Sequence, residues 1–293
     1  MNVAIYLPLL LALPLTLTAA RLAARGTPGL IARGLTGSAF VAAVSSTWSL
    51  VLLALTLLDD LPPLSALDDH PTLELPEPVP GPVALLAALL LAWGAVRLVR
   101  DIHLRITTHR RLRAAGTPQD GLVVADWSAP LAVAVPGRPG HLLVTSGILR
   151  LLDTDERRVL FAHEHAHLAH RHHRLVALTG AAAAVNPLLI PVRTTVAYLV
   201  ERWADEDAAA VVGDRGLTAK AVARAALATV GPGPKAALGM HGGAVVNRVR
   251  ALIAPSPAPR RGRLLGPTLL AAGCLSATAV ATAEFVALAR AWL

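Results

Sequence analysis

The sequence predicts a mainly α-helical membrane protein in which four transmembrane helices carry a cytoplasmic α+β domain. Three observations lead there. Hydrophobic residues make up 54% of the chain and charged residues only 16%, below the ~25% charged of ordinary soluble domains. Four stretches, 3–20, 38–58, 82–99 and 264–293, are apolar over a length near the about 20 residues that a helix needs to cross the hydrocarbon core. The loops between these stretches alternate in charge.

The first stretch has the length of a signal peptide, but it lacks a basic residue ahead of its apolar run, and Arg21 and Arg25 follow it. A retained helix is therefore expected. The loop after it carries Arg21, Arg25 and Arg33 and no acid. The next loop holds Asp59, Asp60, Asp68, Asp69, Glu74 and Glu77 and no Lys or Arg. After the third stretch come Arg97, Arg100, Arg105, Arg110, Arg111 and Arg113 against the single acid Asp101, and ahead of the fourth lie Arg248, Arg250, Arg260, Arg261 and Arg263. Basic loops stay inside. Both termini are thus expected outside, with residues 100–263 forming a cytoplasmic domain between spans at 1–99 and 264–293. The acidic outer loop is too short to hold a folded sensor domain.

Composition excludes other classes. The only cysteine, Cys274, stands in an apolar run, so neither a disulfide framework nor a cysteine metal site is expected. The net charge of +8 comes from arginines beside the apolar stretches rather than from a continuous basic surface. No direct nucleic-acid partner is expected. No span carries charges arranged as a transport pathway, since Glu284 and Arg290 lie towards one end.

Within 100–263, the β-prone runs 122–135 and 141–145 flank the turn cluster Pro136-Gly137-Arg138-Pro139-Gly140 and predict a small sheet. Asp153 three residues ahead of Glu156 has the spacing of a capping box, starting a helix that is expected to run to about Arg174. On it stand His163, Glu164 and His167. Histidines four apart lie about 40° apart around a helix axis, so both imidazoles reach one ion. Glu164 is placed to take a proton from water at that ion. The bland reading is a solvated His-rich helix end, for which His170, His172 and His173 also speak.

A second motif decides between them. Two histidines leave a catalytic zinc short of a third protein ligand, which Glu201 can supply from the downstream segment Glu201-Arg202-Trp203-Ala204-Asp205. Asp205, one turn on, can accept the other ring N–H of a ligand histidine. This is the gluzincin arrangement. His173 is the rival third ligand, at the spacing of motifs in which a glycine breaks the helix, but here that glycine position is His170. Candidates for the oxyanion donor are Tyr198, Arg202 and the nearby histidines.

The apolar run 175–200 constrains the topology. One crossing would put Glu201 on the far side from His163, and two need about 40 residues where 26 are present. Asn186-Pro187 and Pro191 predict a bend, as a packed helical hairpin or a shallow re-entrant element. The stretches 231–243 and 255–263 read as Gly/Pro linkers.

These residues resemble the BlaR/MecR-type membrane zinc metallopeptidases. The resemblance covers roughly 120–255 and the four-span layout. It rests on Pro136-Gly137, the run 142–152, Asp155-Glu156 before Val159-Leu160, the helix with His163 and His167, Asn186-Pro187, and Glu201 to Asp205, with a looser match at 248–252. The HtpX and CAAX-prenyl-protease group shares the same signatures and is the near alternative. The chain as given ends after its fourth span, so direct β-lactam sensing is not expected. The resemblance implies a gluzincin-type zinc protease domain with one Zn²⁺, cutting a protein substrate such as a transcriptional repressor in regulatory signalling. A non-catalytic metal-binding receptor is the reading from another class, against which the intact base Glu164 argues.

Overall fold

The computed structural model describes residues 3–58, 79–229, 236–256 and 264–292. Among them, four helical segments are long and apolar enough to span a membrane: Leu7–Ala24, Pro28–Leu55, Gly81–Arg113 and Leu265–Ala287. The first combines α1 (Leu7–Leu10) and α2 (Ala12–Arg25), and the second is α3 (Pro28–Leu55). α3 begins ahead of its most apolar stretch, with Pro28 in the first turn, where its fixed φ and missing N–H cost nothing. Serines and threonines on its buried face satisfy themselves locally: Thr36 Oγ1 donates to Ala32 O at 2.7 Å and Ser49 Oγ to Ser45 O at 3.1 Å. Small residues of this kind let spans approach closely.

α4 (Gly81–Arg113) is the longest helix, with 33 residues. At 1.5 Å per residue it measures about 50 Å, more than the ~30 Å that one crossing of the hydrocarbon needs. The sequence expectation ended this span at residue 99. The helix runs on because no Gly or Pro stands between residue 99 and Gly116. The acidic loop expected between α3 and α4 lies mostly outside the described residues.

The sheet follows. β1 (Leu122–Ala125), β2 (Ala132–Val135) and β3 (His141–Thr145) are ordered β1-β3-β2. β1 pairs parallel with β3 (Val123 opposite Leu143), and β2 pairs antiparallel with it (Val133 opposite Leu143). The run 122–135 is thus two strands on either side of β3. Thr145 fastens the segment between them, its Oγ1 donating to Ala129 O at 2.8 Å and accepting from Leu131 N at 2.9 Å.

After α5 (Ser146–Leu151) comes α6 (Thr154–Ala169). The expected capping box is present: Glu156 N donates to Asp153 Oδ1 at 2.9 Å and Asp153 N to Glu156 Oε2 at 3.0 Å. The helix ends earlier than expected. His170 caps it, and Arg171 adopts a left-handed conformation (φ 53°) before α7 (His172–Val185) restarts.

α7, the 3-10 turn Pro187–Leu189 and α8 (Ile190–Val212) form a bent, packed pair of helices, with the bend where Asn186-Pro187 predicts it. Asn186 makes the bend: its Oδ1 accepts from Leu188 N at 3.1 Å and its Nδ2 donates to Ser46 Oγ on α3 at 3.1 Å. Thr16 Oγ1 donates to Leu188 O at 2.6 Å. The tip therefore sits beside the first two spans, sharing one core in which Ala182, Leu189, Val192 and Leu199 pack on Leu15, Ile31 and Leu35. Gly94 of α4 lets Val185 come close, since a Cβ there would stand 3.3 Å from Val185 O. Having turned back, α8 returns Glu201 to the side of His163.

α9 (Arg215–Thr229) and α10 (Ala236–Ile253) pack on each other, and α11 (Leu265–Trp292) lies along α3, tied by Trp48 Nε1 donating to Thr282 Oγ1 at 2.8 Å. Residues 236–243, expected as linker, are the first turns of α10. The remainder of that stretch and most of 255–263 fall outside the described residues.

Candidate metal centre

α6 presents His163 and His167 from one face, as their spacing dictates, and their Nε2 atoms are 3.2 Å apart. α8 brings Glu201 against both, with Oε2 3.6 Å from His163 Nε2 and Oε1 3.6 Å from His167 Nε2. The three residues offer ligand atoms within 4.8 Å of one another. Two atoms bound at about 2.1 Å to a tetrahedral ion stand about 3.4 Å apart, so this triangle fits zinc. Two imidazoles and one carboxylate are also the donor set of a catalytic rather than a structural site.

Glu164 follows His163 directly. Burial raises its pKa from the ordinary carboxylate value, offset in part by the His163 ring. A raised carboxyl pKa favours taking up a proton and returning it.

Asp205 Oδ1 lies 3.0 Å from His163 Nδ1, on the side of the ring away from Glu201. Asp205 is itself gripped by Arg248 of α10, whose Nε and Nη2 each donate at 2.7 Å, while Arg248 Nη1 stands 3.1 Å from Glu201 Oε2. The charges set a clear polarity. Burial disfavours the Glu201 carboxylate, yet His163 and Arg248 outweigh it and hold its pKa down to about 2. Burial likewise opposes a proton on His163, but Asp205 and Glu201 together raise that ring to about 10. Two ionised carboxylates around one point form an environment that draws a cation.

His167 is different. Burial pushes its pKa down to about 4. Its Nδ1 faces another imidazole, His172 Nδ1 at 3.0 Å, and burial followed by His167 and His170 lowers His172 to about 3.

The sequence-predicted residues thus fall into two groups. His163, His167, Glu201, Glu164 and Asp205 converge. His173 does not join the metal group, although the helix does break ahead of it. Arg202 turns away to Ala23 O of α2 at 3.3 Å, which leaves it aimed at the first span rather than at the metal point. Sequence reasoning missed Arg248 as a partner of Asp205, because 43 residues separate them and no local spacing marks the pair. It also missed His172, which an unbroken helix would have carried away from His167.

Comparison with known proteins gives a partial match. Residues 99–186 match the profile of Peptidase family M48. This segment is similar to M48 peptidases. It contains β1 to β3 and the His163-Glu164-x-x-His167 helix, and it stops at the hairpin bend, before Glu201. A protein described as a protease HtpX homolog from Pyrococcus abyssi is 28% identical over 108 residues, which is 35% of this chain and 37% of the relative. The chain therefore spans little more than a third of that relative's length. No solved structure matches at a comparable level. M48 peptidases are zinc metalloproteases, and the M48-like segment together with the His163, His167 and Glu201 group supports a membrane metallopeptidase. Of the two resemblances drawn from the sequence, the relative found belongs to the HtpX side.

Proposed function

We propose that this chain is a membrane-embedded zinc-dependent endopeptidase that hydrolyses peptide bonds of proteins at the cytosolic face of the membrane. One observation carries the reading: His163, His167 and Glu201 form a ligand triangle of 3.2, 3.6 and 3.6 Å, and the half-buried Glu164 follows His163 directly on α6.

His163, His167 and Glu201 would hold one zinc ion and leave its fourth position open. Zinc supplies Lewis acidity there, lowering the pKa of water to about 7 and polarising the scissile carbonyl. Glu164 takes the proton of the attacking water and delivers it to the leaving amine. Asp205 fixes the tautomer of His163 and keeps Nε2 free as the ligand atom. β2 is an edge of the sheet, and it packs against the helix that carries Glu164. An extended substrate can lie along this edge with its peptide bond at the site.

The alternating loop charges support a reading with residues 100–263 in the cytoplasm, both termini outside, three spans within 1–99 and the fourth within 264–293. Two substrate classes remain. A BlaR/MecR-type role in regulatory signalling means one or two soluble substrates such as a transcriptional repressor, and an HtpX-like role means many membrane proteins. The similarity to an HtpX homolog favours the second. Quantitative fragment analysis of cells carrying wild type or Glu164→Gln separates them. A broad set of membrane-protein fragments that vanish in the variant supports the HtpX-like role, and one vanished soluble fragment supports signalling. An unchanged fragment pattern overturns the peptidase assignment.

A further inference from the structure

The two candidate histidine ligands are backed in different ways. His163 has a carboxylate behind it, whereas His167 has His172, with the two Nδ1 atoms 3.0 Å apart. His172 is 1% exposed. Residues five apart on a continuous helix stand about 140° apart around the axis and do not meet. The left-handed Arg171 is what swings His172 back over His167.

His172 is held from behind. Trp203, two residues after Glu201 on α8, lies with its ring centroid 4.8 Å from His172 and 4.3 Å from His170. His170 is pinned in turn by its Nε2 contact of 2.6 Å with Asp207. The opposite side of Trp203 rests on the second span: the guanidinium of Arg33 is 4.7 Å from the ring centroid. Gly29 makes room for the indole, since a Cβ there would come within 2.7 Å of it.

An imidazole that binds a metal through one nitrogen carries its proton on the other, and the acceptor of that proton fixes the ring. For His167 the nitrogen facing His163 and Glu201 is Nε2, so Nδ1 carries the proton and His172 Nδ1 lies within reach to accept it. His172 then bears its own proton on Nε2, an atom with no hydrogen-bond partner among the described residues, in a ring that packs against the indole of Trp203.

Building on the metal-site reading above, we propose that His172 is the positioning residue for His167, and that Trp203, seated on α3, holds His172 in place. Zinc coordination is thereby tied mechanically to the second span.

The test uses full-length protein in detergent and reads zinc affinity by chelator competition, with thermal unfolding of the metal-free protein alongside. His172→Asn places an amide oxygen near the position of Nδ1, whereas His172→Leu keeps bulk without an acceptor. The Leu variant is expected to bind zinc about 10–100-fold more weakly while the metal-free protein unfolds as wild type does. The Asn variant is expected to regain most of the loss. Trp203→Leu is expected to weaken zinc as well. Wild-type affinity in His172→Leu, or an Asn variant no better than Leu, overturns the role of His172, and wild-type affinity in Trp203→Leu overturns the link to the span. His163→Ala run in parallel separates the two levels. If it keeps zinc, the metal reading itself fails and takes this one with it. If it loses zinc while His172→Leu binds normally, only the positioning role fails.

Discussion

Arg248 grips both carboxylate oxygens of Asp205 at 2.7 Å, linking α10 to the helix that carries Glu201. Such a fork-shaped pair aligns the carboxylate in a plane, and Asp205 passes that alignment to His163. Arg248→Ala is therefore expected to lower zinc affinity by about 10–100-fold. Arg248→Lys should recover only part of this, because an ammonium cannot reproduce two parallel N–H bonds. Chelator competition on the purified variants measures both, and a Lys variant equal to wild type would show that charge alone matters.

The ligand assignment itself is tested by removal. His163→Ala, His167→Ala and Glu201→Ala should each lose zinc, while His173→Ala should retain one equivalent by elemental analysis. Loss in His173→Ala with retention in Glu201→Ala would reverse the choice of third ligand.

Much of this site is legible in the sequence, because its parts obey local periodicities. Spacing of four puts His163 and His167 on one face, and the same spacing puts Glu201 and Asp205 on another. The capping box at Asp153 and Glu156 marks where the first of those helices starts. The bend follows from counting, as 175–200 is too short for two crossings and Glu201 must return. What the sequence hides depends on tertiary geometry. Arg171 has no glycine to announce its left-handed turn, so the meeting of His172 with His167 is invisible in one dimension. α4 outruns its apolar stretch because arginines are good helix formers and nothing breaks the backbone.

Topology rests on loop charges and is open to direct measurement. In a Cys274→Ser background, cysteines at positions 68 and 111 should react with a membrane-impermeant reagent from opposite faces of intact membranes. Labelling of both from the same face would overturn the cytoplasmic placement of the domain.

The hairpin tip hangs on Asn186, which is 7% exposed and bonds both Leu188 N and Ser46 Oγ. Asn186→Leu removes both bonds and leaves the Leu188 N–H without its acceptor, while the Ser46 hydroxyl keeps its bond to Ala43 O. A destabilisation of about 1–3 kcal/mol is expected, read as a lowered unfolding midpoint in detergent together with weaker zinc binding, since the bend sets where α8 brings Glu201. Asn186→Asp keeps the acceptor for Leu188 but not the donor to Ser46, so it should fall between Leu and wild type.

The start of α6 gives a pH-dependent prediction remote from the metal. Glu156 is 0% exposed. Burial opposes its ionisation, but the Asp153 N–H and the cations of Arg224 and Lys220 outweigh that cost and hold its pKa below the ordinary 4.5. Arg224 Nη1 lies 2.7 Å from Oε2, and Lys220 Nζ lies 3.2 Å from Oε1. A carboxyl whose folded pKa is depressed stabilises the fold above its unfolded value, and that contribution is lost as pH falls through the folded pKa. Glu156→Gln should therefore cost about 1.5–3 kcal/mol at neutral pH, the scale of a hydrogen bond to a charged group. The gap to wild type should close as the pH drops below about 4.5. Hydrogen exchange of the α6 amides at pH 7 and at pH 4 reads this locally, without requiring the spans to unfold. A gap that stays constant between the two would mean that Glu156 acts as a neutral cap, and that its pairing with Arg224 and Lys220 adds nothing to the helix that carries His163 and His167.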